Sequence, residues 1–133
     1  MTGTVDTALA PTVFIVDDEP SMRLLARTFL ERGGFNVVEE AADGPQALER
    51  FHELNPPPIP LVVLLDNRMP GLTGLEVAEQ MLAMHPSQMI VLFSAHIDAT
   101  VKAQAREIGI SACVSKTEAS RLGKIIRELL PQE

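Results

Sequence analysis

Apolar residues fall along this chain in two alternating rhythms. Unbroken apolar runs at 12–16 (TVFIV), 61–65 (LVVLL) and 89–93 (MIVLF) are what strands buried on both faces of a parallel sheet require. Between them, apolar positions recur at helical spacing. Met22, Leu25, Ala26 and Phe29 predict a helix over 21–32 with one stripe toward the core. Ala47, Leu48 and Phe51 mark a second helix reaching about residue 54, and Leu75, Ala78, Met81 and Leu82 a third over 74–84. A fourth, running to about Ile108, is marked only by Val101, Ala105 and Ile108. A last one carries the stripe Leu122, Ile125, Ile126 and Leu129. Short strands at 35–39 and 111–115 complete the set.

Boundary residues agree with these periods. Gly33 and Gly34 end the first helix, and Asp43 with Pro45 opens the second. Pro70 and Gly71 form a turn, and Thr73 with Glu76 three residues on is a capping-box pattern. Asp98 and Thr117 are expected to cap the last two helices, Gly109 to stop the fourth, and Pro131 to close the chain. The run NPPPIP at 55–60 reads as a stiff extended spacer. Residues 1–11 lack periodicity and are expected to be a flexible leader to one domain over 12–131.

Five alternations of strand and helix predict an α/β fold. The expected architecture is a doubly wound, five-stranded parallel sheet with five helices on its two faces, a three-layer sandwich. In the flavodoxin-like strand order 2-1-3-4-5, the first and third strands are neighbours at the switch point, where ligands bind in open α/β sheets.

Composition narrows the chemistry. With 133 residues, 46% of them hydrophobic, the chain suits one core. No apolar run approaches the roughly 18 residues of a membrane span, and the N-terminus lacks a signal-peptide pattern, so cytoplasm is the expected location. The single cysteine, Cys113, and three scattered histidines exclude an internal disulfide and a Cys- or His-cluster metal site. A net charge of −7 argues against direct nucleic-acid binding, which needs clustered Lys and Arg, and points to protein partners.

Four strands end in polar groups suited to one site: Asp17 and Asp18 on the first, Asp66 on the third, Ser94 on the fourth and Lys116 on the fifth. Right-handed crossovers bring these ends to one edge of the sheet. Three carboxylates so close repel one another, raising their pKa values unless a cation intervenes. A hard cation such as Mg²⁺ meets that need. With Lys116 as a point charge and Ser94 as a hydroxyl donor, the set describes a phosphoryl group transferred to, or held by, a carboxylate nucleophile.

VDDEP at 16–20, LLDNRMPGLTG at 64–74, SA at 94–95 and SK at 115–116 resemble the response-regulator receiver domain of bacterial two-component systems. The likeness extends over about residues 12–130. It implies Asp66 as phospho-acceptor, with Asp18, Asp66 and the backbone carbonyl of Arg68 binding Mg²⁺ directly and Asp17 acting through water. It further implies that Lys116 pairs with Asp66 and then with the phosphoryl oxygens, while Ser94 and the amides of Asn67 and Ala95 complete the pocket. The implied partners are a sensor histidine kinase or a histidine phosphotransfer protein as donor and a downstream protein as target, with room for a phosphorylation-dependent dimer. The domain would be a signalling phospho-acceptor rather than an enzyme.

Two positions depart from the family pattern. Cys113 stands three residues before the lysine, where Tyr or Phe is usual, so switching is expected to lack an aromatic latch. Thr117 stands where many members carry proline, which would leave the lysine's approach less fixed; Lys-Thr here resembles receivers attached to LuxR-type output domains.

Arg68, two residues after Asp66, reads equally as a solvent-exposed residue and as a tuner of hydrolysis, whereas His96, two after Ser94, reads as a solvated loop histidine ahead of a tuning role. His52 and His85 read as surface residues at helix ends.

Competing readings are separable on residues. An aspartyl phosphatase of the haloacid-dehalogenase type needs a second acid where Arg68 stands. A flavodoxin-type carrier needs a hydroxyl- and glycine-rich phosphate loop where DDEPS stands. A receiver-like adaptor working unphosphorylated would keep the fold without the chemistry.

Overall fold

The computed structural model describes residues 10–58 and 60–131. Strands β1 (Thr12–Val16), β2 (Asn36–Ala41), β3 (Leu61–Leu65), β4 (Met89–Ser94) and β5 (Ala112–Ser115) form one parallel sheet in the order β2-β1-β3-β4-β5. Helices α1 (Pro20–Arg32), α2 (Gly44–Glu53), α3 (Gly74–Met84), α4 (Ala99–Ile108) and α5 (Leu122–Leu129) alternate with them, the last preceded by a 3₁₀ turn over Lys116–Arg121. This is the expected flavodoxin-like three-layer sandwich. Of the expected leader, residues 1–9 lie outside the described residues. Pro11 is buried, and its carbonyl accepts from the Asn36 amide at 2.9 Å.

Alternation along the strands divides the core in two. Phe14, Val16, Val63, Leu65, Ile90 and Leu92 point to the side covered by α2, α3 and α4, where Phe51, Val77, Met81 and Ala105 meet them. Val13, Ile15, Val62, Leu64, Val91 and Phe93 point to the side covered by α1 and α5, against Ala26, Leu30, Leu122 and Ile126. Each such large side chain, fully buried, contributes on the order of 1.5–3 kcal/mol.

Several expectations are corrected. Leu25 is 38% exposed and Leu24 64%, because the core side of α1 is made by Ala26 and Leu30 with Met22 and Phe29 against them. β2 runs on through Glu39 and Glu40 to Ala41, since an edge strand tolerates charges that arginines from α1 and α2 can reach. Phe35 precedes it, its amide bonded to Leu30 O. Thr117 does not cap the last helix. Ser115 caps the 3₁₀ turn, accepting from the Thr117 amide at 3.2 Å, and α5 starts only at Leu122 with no side-chain cap. His85 is no plain surface residue, as its ring meets Phe51 edge-on at 5.6 Å.

The segment that positions the site is the link from β3 to α3. Thr73 and Glu76 make the capping box, Gly71 takes φ 81° in the turn, and the Asn67 side chain accepts from the Leu75 amide at 3.1 Å. Gly74 allows the helix to press on the loop: a Cβ there would lie 2.3 Å from Asp66 O and 2.8 Å from Asn67 Cα. Gly74→Ala therefore forces the loop and the helix apart, and about 1–3 kcal/mol or more should be lost in chemical denaturation. Gly71→Ala, where a Cβ meets nothing within 4 Å, should cost only the roughly 1–2 kcal/mol of a left-handed backbone. A smaller loss for Gly74→Ala than for Gly71→Ala would contradict the close packing.

Candidate functional site

The carboxyl edge of the sheet gathers the expected residues. Asp17 and Asp18 follow β1, Asp66 follows β3, Ser94 is the last residue of β4, and Lys116 follows β5. Ligand atoms of Asp17, Asp18 and Asp66 all lie within 4.8 Å of one another. Asp17 and Asp66 are buried, at 2% and 3% exposure, and the chain's main-chain ladder fixes both: Asp17 N donates to Ala41 O and Asp66 N to Val16 O.

Lys116 reaches into this cluster with only 11% of its side chain exposed. Its Nζ lies 2.8 Å from Asp17 Oδ2, 3.4 Å from Asp66 Oδ2 and 3.8 Å from Glu19 Oε1. The ammonium thus sits nearer Asp17 than Asp66. Burial disfavours its charge, but the contacts with Asp17 and Asp66 outweigh that and hold its pKa above the usual lysine value.

One cation does not balance three acids. Burial, then repulsion from Asp17, pushes the Asp66 carboxyl up to about 6, against the opposing pull of Lys116 and of the Arg68 amide, 3.4 Å from Oδ1. A proton or a second cation is the natural relief. Three carboxylate donors, hard oxygens at short mutual range, suit a divalent ion such as Mg²⁺.

Ser94 supplies a second sign of an absent partner. It is 0% exposed, and its Oγ has no hydrogen-bond partner among the described residues, a costly state for a buried hydroxyl and one that a ligand oxygen would relieve.

The remaining expected positions are less engaged. Asn67 is half-buried with its side chain on α3. Ala95, Arg68 and His96 are exposed. Cys113 is half-buried against the α2–α4 core, where burial raises its thiol pKa.

Sequence reasoning missed two contributors. Glu19 stands beside Lys116, and Arg23 Nη1 donates to the carbonyl of Asp17 at 2.7 Å. The signal for Arg23 was a cation in the first turn of the helix that follows the acid pair.

Fold and cleft together define a class: a doubly wound α/β domain with an acidic, lysine-bridged pocket at the carboxyl edge of its sheet. The family model for the response regulator receiver domain matches residues 13–127, and the chain belongs to that family. Phosphorylation-switched signalling is the general function of receiver domains, which bind Mg²⁺ at an acidic pocket and in general are not enzymes themselves.

Among relatives, the chain is 33% identical over 113 residues to a protein-glutamate methylesterase/protein-glutamine glutaminase of Caulobacter vibrioides, covering 84% of this chain but 31% of that protein. It is 31% identical over 83 residues to the chemotaxis protein CheY of Thermotoga maritima, covering 62% of this chain and 66% of the relative. A LuxR-family response regulator of Aurantimonas superposes with TM-score 0.79 at 28% identity, covering 89% of this chain and 83% of that one. A chain of the CheX-CheY-BeF3-Mg²⁺ complex from Borrelia burgdorferi shares the fold with TM-score 0.84 at 22% identity, covering 96% of this chain and 95% of that one. The chain thus spans about a third of the length of the methylesterase it matches. Among the described residues, no helix is long and apolar enough to cross a membrane.

The raised Asp66 pKa has a stability consequence. With the folded value above the unfolded one, the folded state binds the extra proton between about pH 4 and pH 6, so this group's contribution falls as pH rises through that window. Without divalent cation, Asp66→Asn should melt above wild type at pH 7.5, and the gap should shrink as pH falls to 5. A gap independent of pH would contradict the raised value.

Proposed function

We propose that residues 12–131 are a receiver unit that accepts a phosphoryl group on Asp66 from the phosphohistidine of a kinase or phosphotransfer protein. The observation that carries this reading is the buried Asp66 carboxyl, pushed up by burial and Asp17 within a three-acid cluster that Lys116 only partly neutralises. An Asp66 oxygen attacks phosphorus, the P–N bond breaks as the P–O bond forms, and the histidine leaves with its electron pair. Hydrolysis later returns the carboxylate and inorganic phosphate.

Asp18, Asp66 and the Arg68 carbonyl would hold Mg²⁺, with Asp17 acting through water. When bound, the ion supplies positive charge against the phosphoryl oxygens. Lys116 is the second positive group, able to move its contact from the Asp66 carboxylate to a phosphoryl oxygen. Ser94 Oγ, unpartnered and buried, is the hydroxyl donor, and the Asn67 and Ala95 amides complete the pocket. Ser94 turning toward the phosphoryl group would draw the loop before α4 with it, shifting the balance between two packings of the α4–β5 surface. A downstream protein, or a second copy of the domain, would read that surface. The location in keeping with such a role is the cytoplasm.

The experiment is incubation with Mg²⁺ and a small phosphodonor, followed by intact-mass measurement. A single phosphoryl adduct is expected, absent in Asp66→Asn and in EDTA, and formed more slowly in Ser94→Ala. An adduct that persists in Asp66→Asn would put the acceptor elsewhere.

A further inference from the structure

We propose that Arg23 is a positioning residue for the acid pair, setting the direction of Asp18 through a hydrogen bond to the main chain. The proposal rests on the reading of Asp17, Asp18 and Asp66 as a divalent-cation site. Asp17 is tied at every polar atom: its amide to Ala41 O, Oδ1 to the Glu19 amide at 2.9 Å, Oδ2 to Lys116, and its carbonyl to Arg23 Nη1. The Asp18 carboxylate has no hydrogen bond or ion pair of its own among the described residues. Its aim is therefore inherited from the peptide plane that joins Asp17 to Asp18, and Arg23 grips the carbonyl of that plane.

Arg23 is itself held from two sides. It lies in the first turn of α1, with its amide bonded to Glu19 O, and its side chain is only 20% exposed. Its Nε donates to Glu40 Oε1 at 3.1 Å, while Arg27, one turn on, takes Glu40 Oε2 at 2.6 Å. Glu40 sits on β2 opposite Ile15, one residue before the Ala41 whose carbonyl receives the Asp17 amide. Edge strand, helix and acid loop are thus braced by one planar guanidinium, a task its fork geometry suits and a lysine could not reproduce.

Charge and geometry make opposite predictions. Removing a cation next to three carboxylates should, by Coulomb attraction alone, tighten a divalent ion. Loss of the brace should loosen it, because groups that orient metal ligands typically carry 10- to 100-fold in affinity. Arg27 is the internal control: its loss breaks its own ion pair with the same Glu40, along with its pair to Glu31, and removes the same charge, but its partners lie on α1 and β2 and not in the acid loop.

The test is calorimetric Mg²⁺ titration of wild type, Arg23→Ala, Arg27→Ala and Asp18→Asn, with thermal midpoints measured alongside. Expected is a loss of roughly tenfold or more for Arg23→Ala, with Arg27→Ala near wild type and the two arginine variants melting alike. Affinity unchanged or tightened in Arg23→Ala overturns the brace and leaves the cation site standing. Equal losses in both arginine variants overturn it too, as general loosening. Wild type that binds no Mg²⁺, or Asp18→Asn that binds as well as wild type, overturns the reading of the site and the brace with it.

Discussion

Lys116, shared between Asp17 and Asp66 in a largely buried pocket, is the contact on which the carboxyl edge of this sheet depends. Three acids converge there because parallel strands joined by right-handed crossovers all deliver their ends to one side, and the order β2-β1-β3-β4-β5 makes β1 and β3 neighbours. Without the ammonium, two carboxylates of 2–3% exposure would face each other unscreened. With it, the three acids are still two charges short of balance, and the Asp66 carboxyl is held up at about 6. The site is held ready for a cation rather than satisfied.

That unsatisfied state is supported by structure that has nothing electrostatic about it. The α2–α4 and α1–α5 cores hold the strands, Gly74 lets α3 press on the loop after β3, and the capping box at Thr73 fixes where that helix begins. Ser94 belongs with these: its hydroxyl is buried at a cost that a ligand oxygen would recover. A local cost carried by a well-packed frame is how strained or unpaired groups persist at functional sites.

Most of this was legible in the sequence because the signals were strong and local. Unbroken apolar runs set the strands of the sheet centre, and the acids, serine and lysine stood directly after those runs, so their convergence followed from topology. The errors came where tertiary context decides. Leu25 fits the helical stripe but points outward, since Ala26 and Leu30 already fill the space above the sheet. Thr117 has the chemistry of a cap, yet the Ser115 hydroxyl is placed first, and its bond to the Thr117 amide holds the turn that carries Lys116. Glu39 and Glu40 look like the end of a strand until Arg23, Arg27 and Arg50 are seen to pair with them. The preference of Lys116 for Asp17 over Asp66, and the grip of Arg23 on a main-chain carbonyl, are distances that no residue pattern encodes.

The most direct measurement is the titration of the Asp66 side-chain carboxyl by carbon-detected NMR, in metal-free protein and again with saturating Mg²⁺. A midpoint near 6 without the ion, displaced well downward with it, is the expected result. A midpoint in the ordinary aspartate range that Mg²⁺ leaves unchanged would mean that the three carboxylates are not in conflict, and that the pocket is not built for a cation.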